Sequence, residues 1–136
     1  MKNFKELEVW QKAVKLATET YKVTESLPRP EQFGLTSQAR RAAASVPANI
    51  AEGWGRGSTR EYIQFLLIAR GSLMELETHL IIAAQLNYLN REGLTSFQTQ
   101  IESVGKMLNR LVMSLKSRQG KPPTPNPQTR TPSAEI

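Results

Sequence analysis

Apolar residues recur at alternating spacings of three and four residues through four long segments of this chain. In the first segment, which covers about residues 5–27, this stripe consists of Leu7, Trp10, Val14, Ala17 and Tyr21. Side chains at these spacings share one face of an α-helix, whereas a half-buried strand alternates every second residue. The spacing therefore predicts packed helices, and no segment of the sequence follows the period of a strand.

The second and third segments differ in the size of their apolar residues. The second, about residues 34–52, carries a mostly small set that favours close approach to its neighbours, namely Leu35, Ala39, Ala42, Ala43, Val46 and Ile50. Pro47 lies inside that segment and is expected to kink its helix. The third, about residues 59–88, has its stripe at Tyr62, Leu66, Ala69, Leu73, Leu76, Leu80 and Ala83. Further apolar residues widen the third stripe, so this helix is either central or also faces another subunit.

The fourth segment, about residues 91–118, continues the pattern with Leu94, Phe97, Ile101, Val104, Leu108, Leu111 and Leu115. A capping box of Ser58 and Glu61 marks the start of the third helix. Short connections between long helices favour antiparallel neighbours. The sequence therefore predicts an all-α, up-down-up-down antiparallel four-helix bundle over residues 1–118.

The last part of the chain has a different composition. Residues 120–136 hold five of the eight prolines and no aromatic residue. Such a segment cannot bury enough apolar surface to offset the entropy of ordering it. We therefore predict two regions, the bundle over residues 1–118 and a disordered, Pro-rich tail over residues 119–136.

Metal and catalytic chemistry have little support in the sequence. The chain has no cysteine, and its single histidine, His79, follows Glu75 by four residues and Glu77 by two. Di-iron helical bundles use a Glu-x-x-His spacing instead. A carboxylate-only site of Glu52, Glu75 and Glu77 is explained better by salt bridges or a solvated face. We therefore predict no metal, no cofactor and no enzymatic activity.

The balance of charge is basic, with 18 Lys and Arg against 12 acidic residues and a net charge of +6. Phosphate contacts from such residues would give salt-sensitive binding to RNA or DNA. The candidate nucleic-acid-binding residues are Arg40, Arg41, Arg56, Arg60, Lys12 and Lys15. For each of them the alternative is an ordinary solvated helix surface. No stretch is long and apolar enough to cross a bilayer, and we expect a cytoplasmic protein without a membrane partner.

A glycine-rich segment, residues 53–59, precedes the third helix. The free amides at a helix start favour an anion. However, no strand precedes this segment, and it lacks the Lys-Ser/Thr ending of a P-loop. Two interpretations stay open: an inter-helix hinge, or a contact with an RNA or DNA phosphate.

Four stretches together resemble a known family. They are residues 4–13 (FKELEVWQKA), 34–42 (GLTSQARRA), 45–53 (SVPANIAEG) and 69–76 (ARGSLMEL). The chain resembles the bacterial four-helix-bundle family of 23S rRNA intervening-sequence proteins over about residues 3–117. That family is related to the accessory variability determinants of diversity-generating retroelements.

The resemblance implies a ring-shaped homopentamer without catalytic residues. In the retroelement branch it implies a basic ring that binds nucleic acid and a reverse transcriptase. It also implies that Asn49 and Glu52 cap or pair within the bundle, and that Gly53 supplies a left-handed helix end.

Two functional hypotheses follow. The first is a non-enzymatic, basic oligomer that binds RNA or DNA and serves as an accessory subunit of a retroelement reverse transcriptase. The alternative is a protein-interaction scaffold with no affinity for nucleic acid, which would use the surplus apolar face of the third helix. In either case the candidate oligomer-interface residues are Trp54, Phe65 and Met74.

Overall fold

The computed structural model describes residues 2–119 of the chain. Four α-helices follow one another: α1 (Glu8–Thr24), α2 (Leu35–Gly55), α3 (Thr59–Gln85) and α4 (Arg91–Gln119). Short 3-10 turns lie at Phe4–Glu6 and Arg29–Glu31, and residues 2–119 contain no strand. The predicted tail lies outside the described residues, apart from Gln119, which still belongs to α4. None of the helices described has the length and hydropathy of a membrane span.

Each helix packs on its neighbours in the chain, and α4 closes the bundle against α1. The pairing between α2 and α3 is antiparallel, because Ser45 bonds Ser72 at 2.8 Å while the earlier Arg41 reaches the later Glu75 at 3.3 Å. Between α3 and α4, Arg70 contacts Asn109 while the later Glu77 contacts the earlier Gln98, so this pair is also antiparallel. The predicted all-α four-helix bundle is thereby confirmed.

The buried stripe of α1 differs from the predicted one. Its buried residues are Val9, Ala13, Leu16, Thr20 and Thr24, whereas Tyr21 is 45% exposed. The two threonines pack as apolar groups because each hydroxyl donates to a backbone carbonyl four residues earlier, at 2.9 and 2.7 Å. Of the predicted seam, Leu7 is buried and Trp10 and Ala17 are half-buried against the core. The buried face is therefore shifted from the predicted stripe onto Val9, Ala13 and Leu16, and it also includes two threonines that the prediction counted as polar.

The seam between α2 and α3 is the closest in the bundle. The small residues predicted for α2 are buried apart from Leu35, and so is the whole predicted stripe of α3. Further along α2, a Cβ built on Gly53 would lie 2.9 Å from Cβ of Phe65. Gly53 therefore permits contact between the two helices. The expectation that it forms a left-handed helix end was wrong, because Gly53 lies within α2 and the left-handed glycine is Gly57, with φ of 87°.

The ends of α3 are set by two local motifs. As predicted, Ser58 is the N-cap, and its hydroxyl oxygen accepts from the amide of Glu61 at 3.1 Å. At the other end the helix stops at Gln85, three residues earlier than predicted. There Asn87 has φ of 64°, and the amide of Tyr88 donates to the Ala83 carbonyl at 2.8 Å. This is a Schellman-type ending with asparagine in the left-handed position.

Replacement of Asn87 tests this helix ending. Asn87→Ala is expected to lower the free energy of unfolding by about 1 kcal/mol, since a Cβ-bearing residue without a short polar side chain is disfavoured at positive φ. Asn87→Gly is the matched control and should keep or raise stability. Urea denaturation followed by circular dichroism measures both, and an equal loss in the two variants would contradict the assignment.

Candidate nucleic-acid interface

Arg40, a predicted nucleic-acid ligand, is engaged in holding two helices together. Its Nε donates to Thr24 Oγ1 at 2.8 Å, and its Nη2 donates to the Tyr21 carbonyl at 3.1 Å and lies 3.4 Å from Glu25. The guanidinium carbon also lies 4.8 Å from the centre of the Tyr21 ring. With only 27% of its side chain exposed, Arg40 fastens α2 to the end of α1.

Arg56 makes a similar link at the opposite end of α2. Its guanidinium pairs with Glu52 at 3.3 Å and with Glu61 at 3.1 Å, and it covers the ring of Phe65. The hydrogen bond with Arg56, together with that from Ser58, lowers the pKa of the Glu61 carboxyl, while the bonds to Glu61 and Glu52 raise the pKa of Arg56. The expected pairing of Glu52 within the bundle is therefore present.

Three more of the predicted cations have a carboxylate beside them. The pairs are Lys12–Glu8 at 3.6 Å, Lys15–Glu19 at 4.0 Å and Arg41–Glu75 at 3.3 Å. Lys12 and Lys15 border a gap between α1 and α4, whereas Arg41 lies on the α2–α3 side. Along α2, fifteen residues separate Arg41 from Arg56, or roughly 22 Å of helix. The predicted set therefore does not converge on one surface.

Arg60 is the one predicted cation whose guanidinium forms no ion pair or hydrogen bond among residues 2–119. It borders a groove of about 540 Å³ where α2 turns into α3 and α4 ends. The lining residues are Gly53, Trp54, Gly57, Ser58, Thr59, Arg60, Tyr62 and Gln119. This turn contains the glycine-rich segment, for which the sequence leaves two interpretations: an inter-helix hinge or a contact with a phosphate.

Tyr62, one of the residues that line this groove, carries a buried hydroxyl without a partner among the described residues. The residue is 6% exposed, and its hydroxyl is buried without a hydrogen-bond partner in the described structure. Burial raises the pKa of the Tyr62 hydroxyl from 10.0 to about 12. The group is thus held neutral and unbonded, an arrangement that is rare for buried polar atoms.

The pH dependence of the free energy of unfolding, compared between the wild type and Tyr62→Phe, tests whether the hydroxyl is buried. Between about pH 10 and 12 the unfolded chain loses the Tyr62 proton while the folded chain keeps it, so wild-type stability falls as pH rises. The phenylalanine variant lacks this contribution and should also be about 1 kcal/mol more stable at neutral pH, because no hydroxyl is left unbonded. Denaturation of both proteins at several alkaline pH values measures the difference. A difference in free energy of unfolding between the two proteins that stays constant across that pH range would contradict the burial of the hydroxyl.

A second group of cations, absent from the predicted set, lies on the outer side of α3 and α4. Arg70 donates from Nη1 to Asn109 Oδ1 at 2.9 Å, and Lys106 and Arg110 flank Asn109 on the same face of α4. None of the three cations has a carboxylate within 4.0 Å among the described residues. We term Arg70, Lys106 and Arg110 the basic face.

The sequence contains only part of the signal for the basic face. Lys106 and Arg110 are four residues apart and therefore neighbours on a helix. Glu102 lies four residues before Lys106, a spacing that favours an ion pair, yet no such pair forms. Arg70 comes from another helix, 39 residues away from its partner Asn109, so its position depends on how the helices pack.

The outer surface of α3 carries apolar side chains that the subunit does not cover. Ile68, Met74, Ile82 and Leu86 are between 43% and 50% exposed. The other predicted interface residues, Trp54 and Phe65, are half-buried and contact groups of their own chain, the Tyr62 ring and the Arg56 guanidinium. Met74 is therefore the predicted interface residue that remains most open to a partner.

The remaining titratable groups do not assemble into a metal site within the described residues. His79 borders a small cavity of about 10 Å³ with apolar neighbours from α1 to α3, and its buried Nε2 has no hydrogen-bond partner. That volume is near the smallest that holds one water molecule. Glu75 and Glu77 instead bond Arg41 and Gln98 on neighbouring helices.

Comparison with known proteins identifies a family and a similar solved structure. The sequence profile of the 23S rRNA-intervening sequence protein family matches residues 5–110. A crystal structure from Bacteroides thetaiotaomicron, described as a protein of unknown function from the S23 ribosomal protein family, is 25% identical, with a TM-score of 0.72. The match covers 76% of this chain and 97% of that one. No curated protein sequence matches significantly.

Proposed function

The chain belongs to the family of 23S rRNA-intervening sequence proteins, and on that premise we propose that it is a non-enzymatic, oligomeric nucleic-acid-binding protein. The observation that carries this proposal is the basic face. Arg70, Lys106 and Arg110 present positive charge to solvent with no carboxylate within 4.0 Å among the described residues, so phosphate groups would not have to displace an ion-pair partner there. The net charge of +6 adds a long-range attraction of the same sign.

The type of contact follows from the chemistry of the basic face. Guanidinium and ammonium groups on a helix surface bind phosphates and carry no information about base identity by themselves. We therefore propose binding that tolerates many sequences and weakens with salt. RNA is the first ligand to test, because the name of the family refers to 23S rRNA.

The oligomer is the second element of the proposal. Four large apolar residues exposed on α3 form a surface suited to contact with another copy of the chain. A ring of five subunits, as the resemblance implies, would repeat the basic face around one assembly. Several weak phosphate contacts on one strand would then add up through their high effective concentration.

Binding to a short single-stranded RNA, followed by fluorescence anisotropy, tests this function. We expect binding at about 50 mM salt and roughly tenfold weaker binding at about 200 mM, because three phosphate contacts each release counterions. A single-stranded DNA of the same sequence is the comparison ligand. Equal affinity for DNA and RNA would indicate general binding of polyanions, whereas tighter binding of RNA would indicate RNA recognition. Absence of any binding at the lower salt concentration would reject the proposal.

A second candidate function rests on the exposed apolar residues of α3. A surface containing Ile68, Met74 and Ile82 also suits a protein partner, and a retroelement reverse transcriptase is the partner that we propose to test. The test is co-purification with a reverse transcriptase encoded beside the gene, using Met74→Glu as the disrupting variant. A stable oligomer that captures this enzyme but has no affinity for nucleic acid would favour the scaffold function over RNA binding.

A further inference from the structure

The groove between the α2–α3 turn and the end of α4 contains a polar group that the fold leaves unused. The Tyr62 hydroxyl is buried and unbonded, although a buried hydroxyl without a partner destabilises the folded state. A phenylalanine in place of Tyr62 would fill the same space without burying an unbonded hydroxyl. Tyr62 lines the groove, so a small shift of its side chain would expose the hydroxyl to a ligand there, and that ligand would supply the missing partner.

Two features that favour an anion border the same groove, the start of α3 and the Arg60 guanidinium. The start of α3 lies at its edge, where the helix dipole favours an anion. The Ser58 hydroxyl caps this helix by accepting from the amide of Glu61 and donating to its carboxylate. The Arg60 guanidinium is unpaired among residues 2–119. Glu61, the acid in the first turn of α3, shares the Arg56 guanidinium with Glu52, and this ion pair reduces its repulsion of an incoming anion.

Trp54 supplies an aromatic surface beside these polar groups. Its ring meets the ring of Tyr62 edge to face, with 6.2 Å between centroids and an interplanar angle of 88°. The side chain is half-buried and lines the groove. Proteins that bind single strands combine such aromatic surfaces for bases with cations for phosphates.

We propose that this groove holds one nucleotide of a single-stranded nucleic acid, with its phosphate at Arg60 and the start of α3 and its base against Trp54. The Tyr62 hydroxyl donates a hydrogen bond to the phosphate and remains protonated at neutral pH. The groove volume of about 540 Å³ lies within the usual range of small-ligand pockets, roughly 300–1,000 Å³. This inference rests on the proposed nucleic-acid binding and assigns it a specific pocket.

The pocket and the basic face share α3. Arg60 and Arg70 are ten residues apart on that helix, which corresponds to about 15 Å along its axis. A strand held in the pocket would therefore reach the basic face within a few nucleotides. The pocket would fix the strand, while the basic face would hold the continuing backbone.

NMR on the full chain tests the pocket directly, with a short single-stranded RNA, uridine monophosphate and inorganic phosphate as probes. The RNA and the mononucleotide should shift the indole signal of Trp54 and the amide of Arg60 and leave the Trp10 indole unchanged. Inorganic phosphate should shift only the Arg60 amide and bind more weakly. Equal affinity for phosphate and mononucleotide, with Trp54 unaffected, would overturn the assignment of a nucleotide.

Variants separate the pocket from the basic face. Tyr62→Phe should bind the RNA about tenfold more weakly while melting at a higher temperature, which a loss of folding cannot explain. Tyr21→Phe, near the end of α1 and away from the groove, is the control and should bind as wild type. Unchanged affinity in Tyr62→Phe, with RNA still bound by the wild type, would refute the pocket and leave the proposed function intact. RNA binding that is lost only when Arg70, Lys106 and Arg110 are replaced would likewise refute the pocket and leave the proposed function intact.

Discussion

Gly53→Ala is expected to lower the free energy of unfolding by about 2 kcal/mol. The added Cβ would lie 2.9 Å from Cβ of Phe65, 3.1 Å from Cδ1 of Tyr62 and 3.2 Å from the Tyr62 carbonyl oxygen. Two of these atoms are tied closely to the α3 backbone and cannot move aside by rotation of a side chain. Relief would therefore require α2 and α3 to separate along a buried seam.

Gly71→Ala is the matched control for this prediction. Gly71 also lies inside a helix, yet a Cβ added there would have no neighbouring atom of the described residues within 4 Å. Alanine there should raise stability by about 0.5 to 1 kcal/mol, because glycine loses more backbone entropy on folding. Urea denaturation of both variants at one protein concentration measures the two changes. Changes of the same sign would contradict the close contact at Gly53.

Removal of the basic face in Arg70→Ala, Lys106→Ala and Arg110→Ala together should weaken RNA binding roughly thirtyfold, from three exposed charge contacts of up to about 1 kcal/mol each. The three side chains are surface groups without ion pairs among the described residues, so we expect the bundle to remain folded. Fluorescence anisotropy gives the affinity, and circular dichroism verifies the fold.

A second triple variant loses the same net charge from cations that are already paired. Lys12→Ala, Lys15→Ala and Arg41→Ala remove side chains that lie within 4.0 Å of a carboxylate. Because these cations are locally neutralised, their loss should weaken binding much less. An equal loss of affinity in the two triple variants would mean that overall charge, and not the basic face, determines binding.

The fold was largely predictable from the sequence, because helical spacing and the small residues of α2 act locally. Two of the differences arose where a residue's burial or backbone conformation depends on hydrogen bonds that apolar spacing does not show. Thr20 and Thr24 are buried in α1 because their hydroxyls bond the helix backbone, and Asn87 ends α3 through a left-handed conformation. Neither effect changes the apolar spacing on which the prediction depended.

The site was less predictable, for a physical reason. The i,i+4 pairs of Lys12 with Glu8 and of Lys15 with Glu19 were readable from their spacing. In contrast, the pairing of Arg41 with Glu75 joins residues 34 positions apart, so it follows from the packing of α2 on α3. The same holds for the basic face, which exists only once α3 and α4 are paired.

Tyr62 shows a further limit of sequence analysis. Its place in the apolar stripe correctly predicted burial, and the structure leaves 6% of the residue exposed. The spacing of apolar residues carries no information on whether a hydroxyl finds a partner. The unbonded hydroxyl, and with it the proposed pocket, became visible only from the arrangement of α2, α3 and the end of α4.

The salt dependence of RNA affinity tests the central claim most directly. Affinity measured from about 50 to 200 mM salt should give a steep negative slope of log affinity against log salt for the wild type. The slope should become shallower by about two when Arg70, Lys106 and Arg110 are removed, since each contact to a single strand contributes about 0.7. It should stay unchanged in the variant that lacks Lys12, Lys15 and Arg41. Identical slopes in all three proteins, or no binding by the wild type, would contradict the proposed role of the basic face.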